Sequence, residues 1–233
     1  MTVSKARGTL ALVGGGEFDD ACLPLHRDLL AASGGGNVVV LPTAAAFEHP
    51  ERVVDAATDH FAQLGATVTP LLALNRRDAE DDALVKVAKA ARFVYIADGS
   101  PLHLRSVLKD SSLFTVIANS WRSGGVLAAS GAGATLVADP MVDPRGGAYT
   151  VGLGLVENLA LFPYHGTAAD HMRERSIELL PDNATLAGLD DHTAIVLASD
   201  GTWRAVGPGA VTVYRAGVAP AVYHDSVIDT LTI

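Results

Sequence analysis

The stretch from Gly124 to Ala134, GGVLAASGAGA, constrains this chain more than any other. A short apolar run of strand type is followed by a turn of very small residues and then by the start of a helix. Such a sharp corner can present a serine above a sheet, provided that the neighbouring residues are tiny. Ser130 lies between Ala128 and Ala132 in a small-x-Ser-x-small pattern. The pattern predicts either a nucleophile elbow or a glycine-rich loop where a helix packs closely on a strand.

Strands and helices alternate along the first part of the chain, from Leu10 to Val137. Apolar, often β-branched runs predict buried strands, and apolar residues at helical spacing predict the helices between them. The order predicts an α/β fold with a mostly parallel central sheet and helices on both faces, in which ligands bind at the carboxyl ends of the strands. The predicted strands are 10–13, 37–41, 66–74, 93–97 and 125–129, and the predicted helices are 50–64, 78–91, one from Pro101 and 113–121.

The character of the chain changes after Pro140. A strand over 158–162 and a helix over 167–180 are followed mainly by strands and turns. Turn residues separate the apolar runs 193–197 and 203–206, which predicts a β-hairpin. We therefore expect antiparallel strands to be added toward the C-terminus of a single domain that covers residues 1–233.

Composition excludes several classes of partner. The chain carries 26 acidic and 17 basic side chains, a net charge of −9, so we expect it to bind neither nucleic acid nor an anionic membrane surface. No apolar stretch reaches the roughly 18 residues that a membrane-spanning helix needs. Cys22 is the single cysteine, which excludes an internal disulfide and favours a reducing, cytoplasmic location.

Nucleotide and metal signatures are missing from the sequence. After Gly14-Gly15-Gly16, the third glycine of a dinucleotide fingerprint would fall on Asp19, and no phosphate-binding loop follows. The eight histidines show no spacing typical of metal ligands. We therefore expect no metal and no cofactor.

Six segments together resemble a known family. The order and spacing of these segments are similar to those of the dipeptidase E and cyanophycinase family of serine peptidases, which have a fold like that of class I glutamine amidotransferases. The resemblance extends from about Leu10 to Arg215. The segments are LALVGGGE, NVVVLPTAAA, the elbow, GLGLVENLALFPYH, GLDDHTAIVL and AVGPGAVTVYR.

The chain departs from that family at the elbow. The family pattern there is Gly-Thr-Ser-Ala-Gly-Ala, with serine as the nucleophile, and the residues from Ala129 onward read Ala-Ser-Gly-Ala-Gly-Ala. The resemblance therefore puts Gly131 at the nucleophile position and Ser130 where threonine is usual. A second departure follows the preceding strand, where the family pattern Gly-Gly-Asp-Gln becomes Asp98-Gly99-Ser100-Pro101. The glutamine that would contact substrate is thus a proline.

The remaining catalytic positions of the family are also implied by the resemblance. His165 matches the catalytic histidine, and Asp190 with Asp191 matches the acidic pair from which the orienting carboxylate comes. Arg173 and Arg175 follow His165 on a predicted helix. They lie near the positions of arginines that the cyanophycin-cleaving branch uses for acidic substrates. Because residues two apart on a helix do not share a face, we interpret these two arginines as a solvated surface.

Two functional hypotheses follow. In the first, the usual nucleophile is missing, peptidase activity is lost or altered, and a pocket for a small peptide or an acidic ligand remains. In the second, the chain is an active serine peptidase or related hydrolase in which Ser130 attacks, His165 is the base and Asp191 orients it. Both hypotheses are compatible with a homodimer. The predicted substrate-binding or oxyanion positions are Gly99, Ser100, Gly131 and Ala132.

Overall fold

A seven-stranded sheet forms the centre of the molecule, in a computed structural model that describes residues 7–231. Five neighbouring strands run parallel, as the β-branched sequence runs predict, and two more strands extend the sheet in antiparallel fashion. In spatial order the strands are β13 (Trp203–Val206), β12 (Ala194–Leu197), β1 (Leu10–Val13), β5 (Val126–Ser130), β4 (Phe93–Ile96), β2 (Asn37–Leu41) and β3 (Thr67–Pro70).

Helices cover both faces of this sheet, which confirms the predicted fold class. Side chains of β5 alternate between two apolar cores: Leu127 and Ala129 belong to one, and Val126 and Ala128 to the other. The first core includes residues of α3 to α6, and the second includes residues of α1 and α2. The helices are α1 (Leu23–Ser33), α2 (Pro50–Ala62), α3 (Asp82–Ala90), α4 (Pro101–Leu108), α5 (Ser112–Arg122) and α6 (Ala132–Val137).

A second sheet follows in the chain. It has six strands in the order β15-β14-β11-β10-β6-β9, and β10 and β11 run parallel to each other while β14 and β15 are antiparallel. Residues of this second sheet belong to the first apolar core, together with residues of the central sheet. The elements of this part are β6 (Ala138–Asp139), β7 (Met141–Val142), β8 (Tyr149–Thr150), β9 (Val156–Glu157), β10 (Leu159–Phe162), α7 (Asp170–Glu178), β11 (Thr185–Leu189), β14 (Val211–Arg215) and β15 (Val218–Tyr223).

Some predicted boundaries were wrong. The strand predicted over 66–74 ends at Pro70, and the helix predicted over 78–91 begins at Asp82, after a short 3-10 turn. The Asp81 side chain fixes that start, because it accepts hydrogen bonds from the backbone N–H groups of Ala83 and Leu84. Neither α1 nor a separate second sheet was predicted from the sequence. The ends of the predicted 1–233 domain lie outside the described residues, so the single domain stays a prediction.

The parallel strands bring three chain segments to one edge of the central sheet. β1 leads into Gly14-Gly15-Gly16 and Glu17, β4 leads to Asp98, and β5 leads to Gly131. β5 lies between β1 and β4, so these residues become neighbours despite their distance in the sequence. Within residues 7–231, no helix is long and apolar enough to cross a membrane.

Candidate active site

Gly131 occupies the apex of the elbow. Ser130 is the last residue of β5 and Ala132 is the first of α6, so Gly131 alone makes the corner. Its backbone has φ +47° and ψ −109°, a conformation that side-chain-bearing residues rarely adopt. The N–H of Gly131 donates to the carbonyl of Val13, and the Gly131 carbonyl accepts from Thr135 N–H. The strand–turn–helix corner that the sequence predicts is therefore present, with glycine at its tip.

Ser130 points away from the tip of this corner. Its side chain is fully buried, with 0% exposure, because it still belongs to the strand that pairs with β1. The hydroxyl group donates a hydrogen bond to Glu17 Oε2 at 3.0 Å. The serine thus serves as a buried link between the ends of β5 and β1.

Glu17 connects three strand ends. Besides Ser130, its carboxylate accepts a hydrogen bond from the backbone N–H of Asp98, at 3.1 Å from Oε1. Burial raises the pKa of this carboxyl group, and the nearby charge of Asp98 raises it further. Glu17 therefore combines a structural position with an unusual affinity for a proton.

The carboxylate of Asp98 lies directly over the apex. Its Oδ1 atom accepts hydrogen bonds from the backbone N–H groups of Gly99 and Ala132, each at 2.6 Å. Two such N–H groups aimed at one oxygen have the arrangement of an oxyanion hole. A Cβ atom built on Gly131 would lie 2.2 Å from Asp98 Cγ. The structure thus brings the predicted oxyanion donors Gly99 and Ala132 together, but on an internal carboxylate.

The two other predicted oxyanion positions contribute no N–H group to this oxygen. The Gly131 N–H is bonded to Val13, and the Ser100 N–H donates to the carbonyl of Ala44 at 2.8 Å. The Ser100 hydroxyl caps α4 by accepting from the N–H of His103. Both residues therefore shape the backbone of the site.

Tyr164, in the loop after β10, closes the site. Its hydroxyl donates to Asp98 Oδ2, and its ring lies where a Cβ on Gly15 would be, only 2.2 Å from Tyr164 Cε1. Burial and the charge of Asp98 raise the pKa of the phenol, which keeps the hydroxyl protonated as a donor. Only glycine at position 15 leaves room for this ring.

His165 forms its hydrogen bonds elsewhere. Nε2 pairs with the Tyr214 hydroxyl at 2.8 Å, and Nδ1 lies 3.5 Å from Asp190 Oδ1. Burial lowers the pKa of the imidazole, and the Asp190 carboxylate partly opposes that shift. The ring fits because position 188 is glycine, where a Cβ would lie 2.2 Å from His165 Cδ2.

Asp190, and not the predicted Asp191, is the acid beside His165. Asp191 Oδ2 accepts a hydrogen bond from the Thr167 hydroxyl at 2.8 Å. The two aspartates follow directly after β11, where the side chains of successive residues point in different directions, so one of them faces the imidazole and the other does not. Within residues 7–231, no hydrogen bond joins Ser130 to His165. The predicted Ser130–His165–Asp191 arrangement is therefore not assembled in this structure.

Four residues of this edge were missed as site residues: Glu17, Asp98, Tyr164 and Tyr214. Each lies within or beside a segment in which the sequence resembles the family or departs from it. Glu17 ends LALVGGGE, Asp98 begins the altered turn, Tyr164 precedes His165, and Tyr214 lies in the last segment. Among the described residues, no three His, Cys, Asp or Glu side chains are grouped so that they could hold a metal ion.

Comparisons with known proteins show the family to which the chain belongs. The model of peptidase family S51 matches residues 10–204. Cyanophycinase from Nostoc sp. is 25% identical over 231 residues, covering 91% of this chain and 76% of that protein. The crystal structure of a peptidase from an acI-B1 Actinobacterium has a TM-score of 0.86 at 27% identity, covering 96% of this chain and 97% of the other.

A more distant solved structure shares the fold. A protein of the peptidase E type from Listeria monocytogenes has a TM-score of 0.63 at 17% identity, covering 91% of this chain and 100% of the other. The family model covers most of the chain, including the elbow, His165 and both aspartates. The chain therefore belongs to peptidase family S51, the family of serine peptidases that its sequence segments resemble.

Proposed function

We propose that this S51-family protein binds a small ligand at the elbow but has lost the serine route of peptide hydrolysis. The conformation of Gly131 carries this proposal, because it puts a residue without a side chain at the tip of the corner. A nucleophile must approach the substrate carbonyl and lie within about 3 Å of its base. Glycine offers no atom that could do either.

Ser130 does not replace the missing group in this account. Its hydroxyl is fully buried and bound to Glu17, so a substrate cannot reach it without a change in the backbone of the elbow. The second hypothesis, an active hydrolase with Ser130, His165 and Asp191, requires such a change. It also requires His165 to leave its contacts with Tyr214 and Asp190.

The charges at this edge favour a peptide over an acidic ligand. Glu17, Asp98, Asp190 and Asp191 are all carboxylates, and a peptide offers them an ammonium group. Arg173, the nearest candidate for an acidic ligand, instead donates to the His165 carbonyl and pairs with Asp170. We therefore propose a small peptide as the ligand, in a cytoplasmic protein whose Cys22 remains a thiol.

Calorimetry and a hydrolysis assay with a panel of dipeptides that carry neutral or basic side chains test the proposal. We expect saturable binding of at least one dipeptide and no release of amino acids above the uncatalysed rate. Ser130→Ala is the matched variant and should behave like the parent protein in the hydrolysis assay. Hydrolysis by the parent protein that disappears in Ser130→Ala would contradict the proposal and support the second hypothesis.

A further inference from the structure

Positions 98 and 131 compete for the same space. The Asp98 carboxylate fills the volume above Gly131: a Cβ at position 131 would lie 2.2 Å from both Asp98 Cγ and Oδ1, and 2.4 Å from Oδ2. Real Cβ atoms do not approach other heavy atoms so closely. Any side chain at position 131 therefore has to displace the Asp98 side chain.

The Asp98 side chain is held firmly where it is. Oδ1 accepts from two backbone N–H groups, Oδ2 accepts from the Tyr164 hydroxyl, and the Asp98 backbone N–H donates to Glu17. Hydrogen bonds to a charged acceptor are among the stronger ones in proteins. Displacing the carboxylate leaves the Gly99 and Ala132 N–H groups and the Tyr164 hydroxyl without this acceptor.

We propose that Asp98 closes the oxyanion hole of this protein, and that a carboxylate at position 98 and a side chain at position 131 are mutually exclusive. This inference deepens the proposed function and rests on it, because it names the group that blocks a substrate carbonyl. In this account, serine at position 131 alone does not restore a hydrolytic site. The carboxylate at position 98 has to be removed as well.

A double-mutant cycle on the full chain tests the exclusion. Gly131→Ser is made in the parent, in Asp98→Ala and in Asp98→Asn, and the midpoint of thermal unfolding is measured for each. Asparagine is the matched control, since it keeps the volume of aspartate and an oxygen that can accept from the two N–H groups. The strain of a side chain at positive φ is present in all three backgrounds and cancels in the comparison.

We expect Gly131→Ser to lower the midpoint by at least about 3 °C more in the parent and in Asp98→Asn than in Asp98→Ala, as a coupling of directly contacting residues predicts. An equal loss in all three backgrounds would overturn the inference.

A second measurement does not need the serine variants: amide hydrogen exchange at Gly99 and Ala132 should accelerate in Asp98→Ala and much less in Asp98→Asn. Unchanged exchange in Asp98→Ala would also overturn it. Neither readout depends on whether the parent protein hydrolyses peptides, so the two proposals can fail separately.

Discussion

The two halves of the expected catalytic centre differ in the residues that the structure brings together. The base half, on the loop after β10 and at the end of β11, brings His165 to a carboxylate, although this is Asp190 and not Asp191. The nucleophile half, at the ends of β1, β4 and β5, has a buried serine, a glycine tip and a carboxylate over that tip. The backbone of the corner is present in the second half, and its tip is a glycine.

This difference shows which part of such a site depends on backbone and which on single side chains. The corner at Gly131 and the two converging N–H groups follow from the strand–turn–helix geometry, so they survive a change of side chain. The nucleophile depends on one residue in one register. A hydroxyl only one position earlier, at Ser130, lies on the strand and faces the protein interior.

We expect the largest effect from a substitution at Gly188, which packs against His165 in the base half. Gly188→Ala introduces a methyl group 2.2 Å from His165 Cδ2 at a backbone conformation that alanine tolerates, so the imidazole has to move. We expect a loss of about 1–3 kcal/mol in the free energy of unfolding, as for other overpacked sites. Denaturant unfolding measures this loss. Gly146→Ala is the matched control, because a Cβ there meets nothing within 4 Å; equal effects of the two substitutions would contradict the packing argument.

The nucleophile half should show an effect of pH through Glu17. Its pKa in the folded protein is raised above the ordinary value of 4.5, so the folded state holds this proton more tightly than the unfolded state. This contribution to stability is present at low pH and is lost as the pH rises from about 4.5 through the raised pKa. Glu17→Gln cannot titrate at this position. We therefore expect the unfolding free energy of the parent, relative to that of Glu17→Gln, to fall as the pH rises, and a difference independent of pH would count against the burial of this charge.

The base half should respond to pH in the opposite direction. Burial lowers the pKa of His165 below its ordinary value of 6.5, so the stability contributed by the neutral ring is present above that pH and is lost as the pH falls through the lowered pKa. Because Asp190 opposes this shift, Asp190→Asn should lower the His165 pKa further in an NMR titration. Asp191→Asn serves as the control and should leave the titration unchanged. The reverse result would restore Asp191 as the partner of His165.

The sequence was sufficient to predict the fold class and the strand–turn–helix corner at Gly131. Alternating apolar segments predict the parallel sheet, and the small residues from Ala128 to Ala134 predict the corner, because both follow from local periodicity and steric size. The resemblance puts Gly131 at the nucleophile position, and the structure has Gly131 at the tip of the corner. These features depend on segments that are contiguous in the chain.

The contacts within the site could not be predicted in the same way. Whether Asp190 or Asp191 faces His165 depends on where β11 ends, and a shift of one residue exchanges the two. The position of the Asp98 carboxylate depends on hydrogen bonds that converge from Gly99, Ala132 and Tyr164, three separate parts of the chain. α1 was not predicted although Leu25, Leu29 and Leu30 have helical spacing, because Pro24 and the glycines that follow the helix are equally typical of loops.

The central claim is that the elbow presents no nucleophile, and covalent labelling of the parent protein with a fluorophosphonate tests it most directly. The reagent phosphonylates an activated serine, and intact-mass spectrometry with peptide mapping locates the product. We predict no stoichiometric adduct on the parent protein and the same result for Ser130→Ala. A stoichiometric adduct that maps to Ser130, and that is absent from Ser130→Ala, would contradict the account.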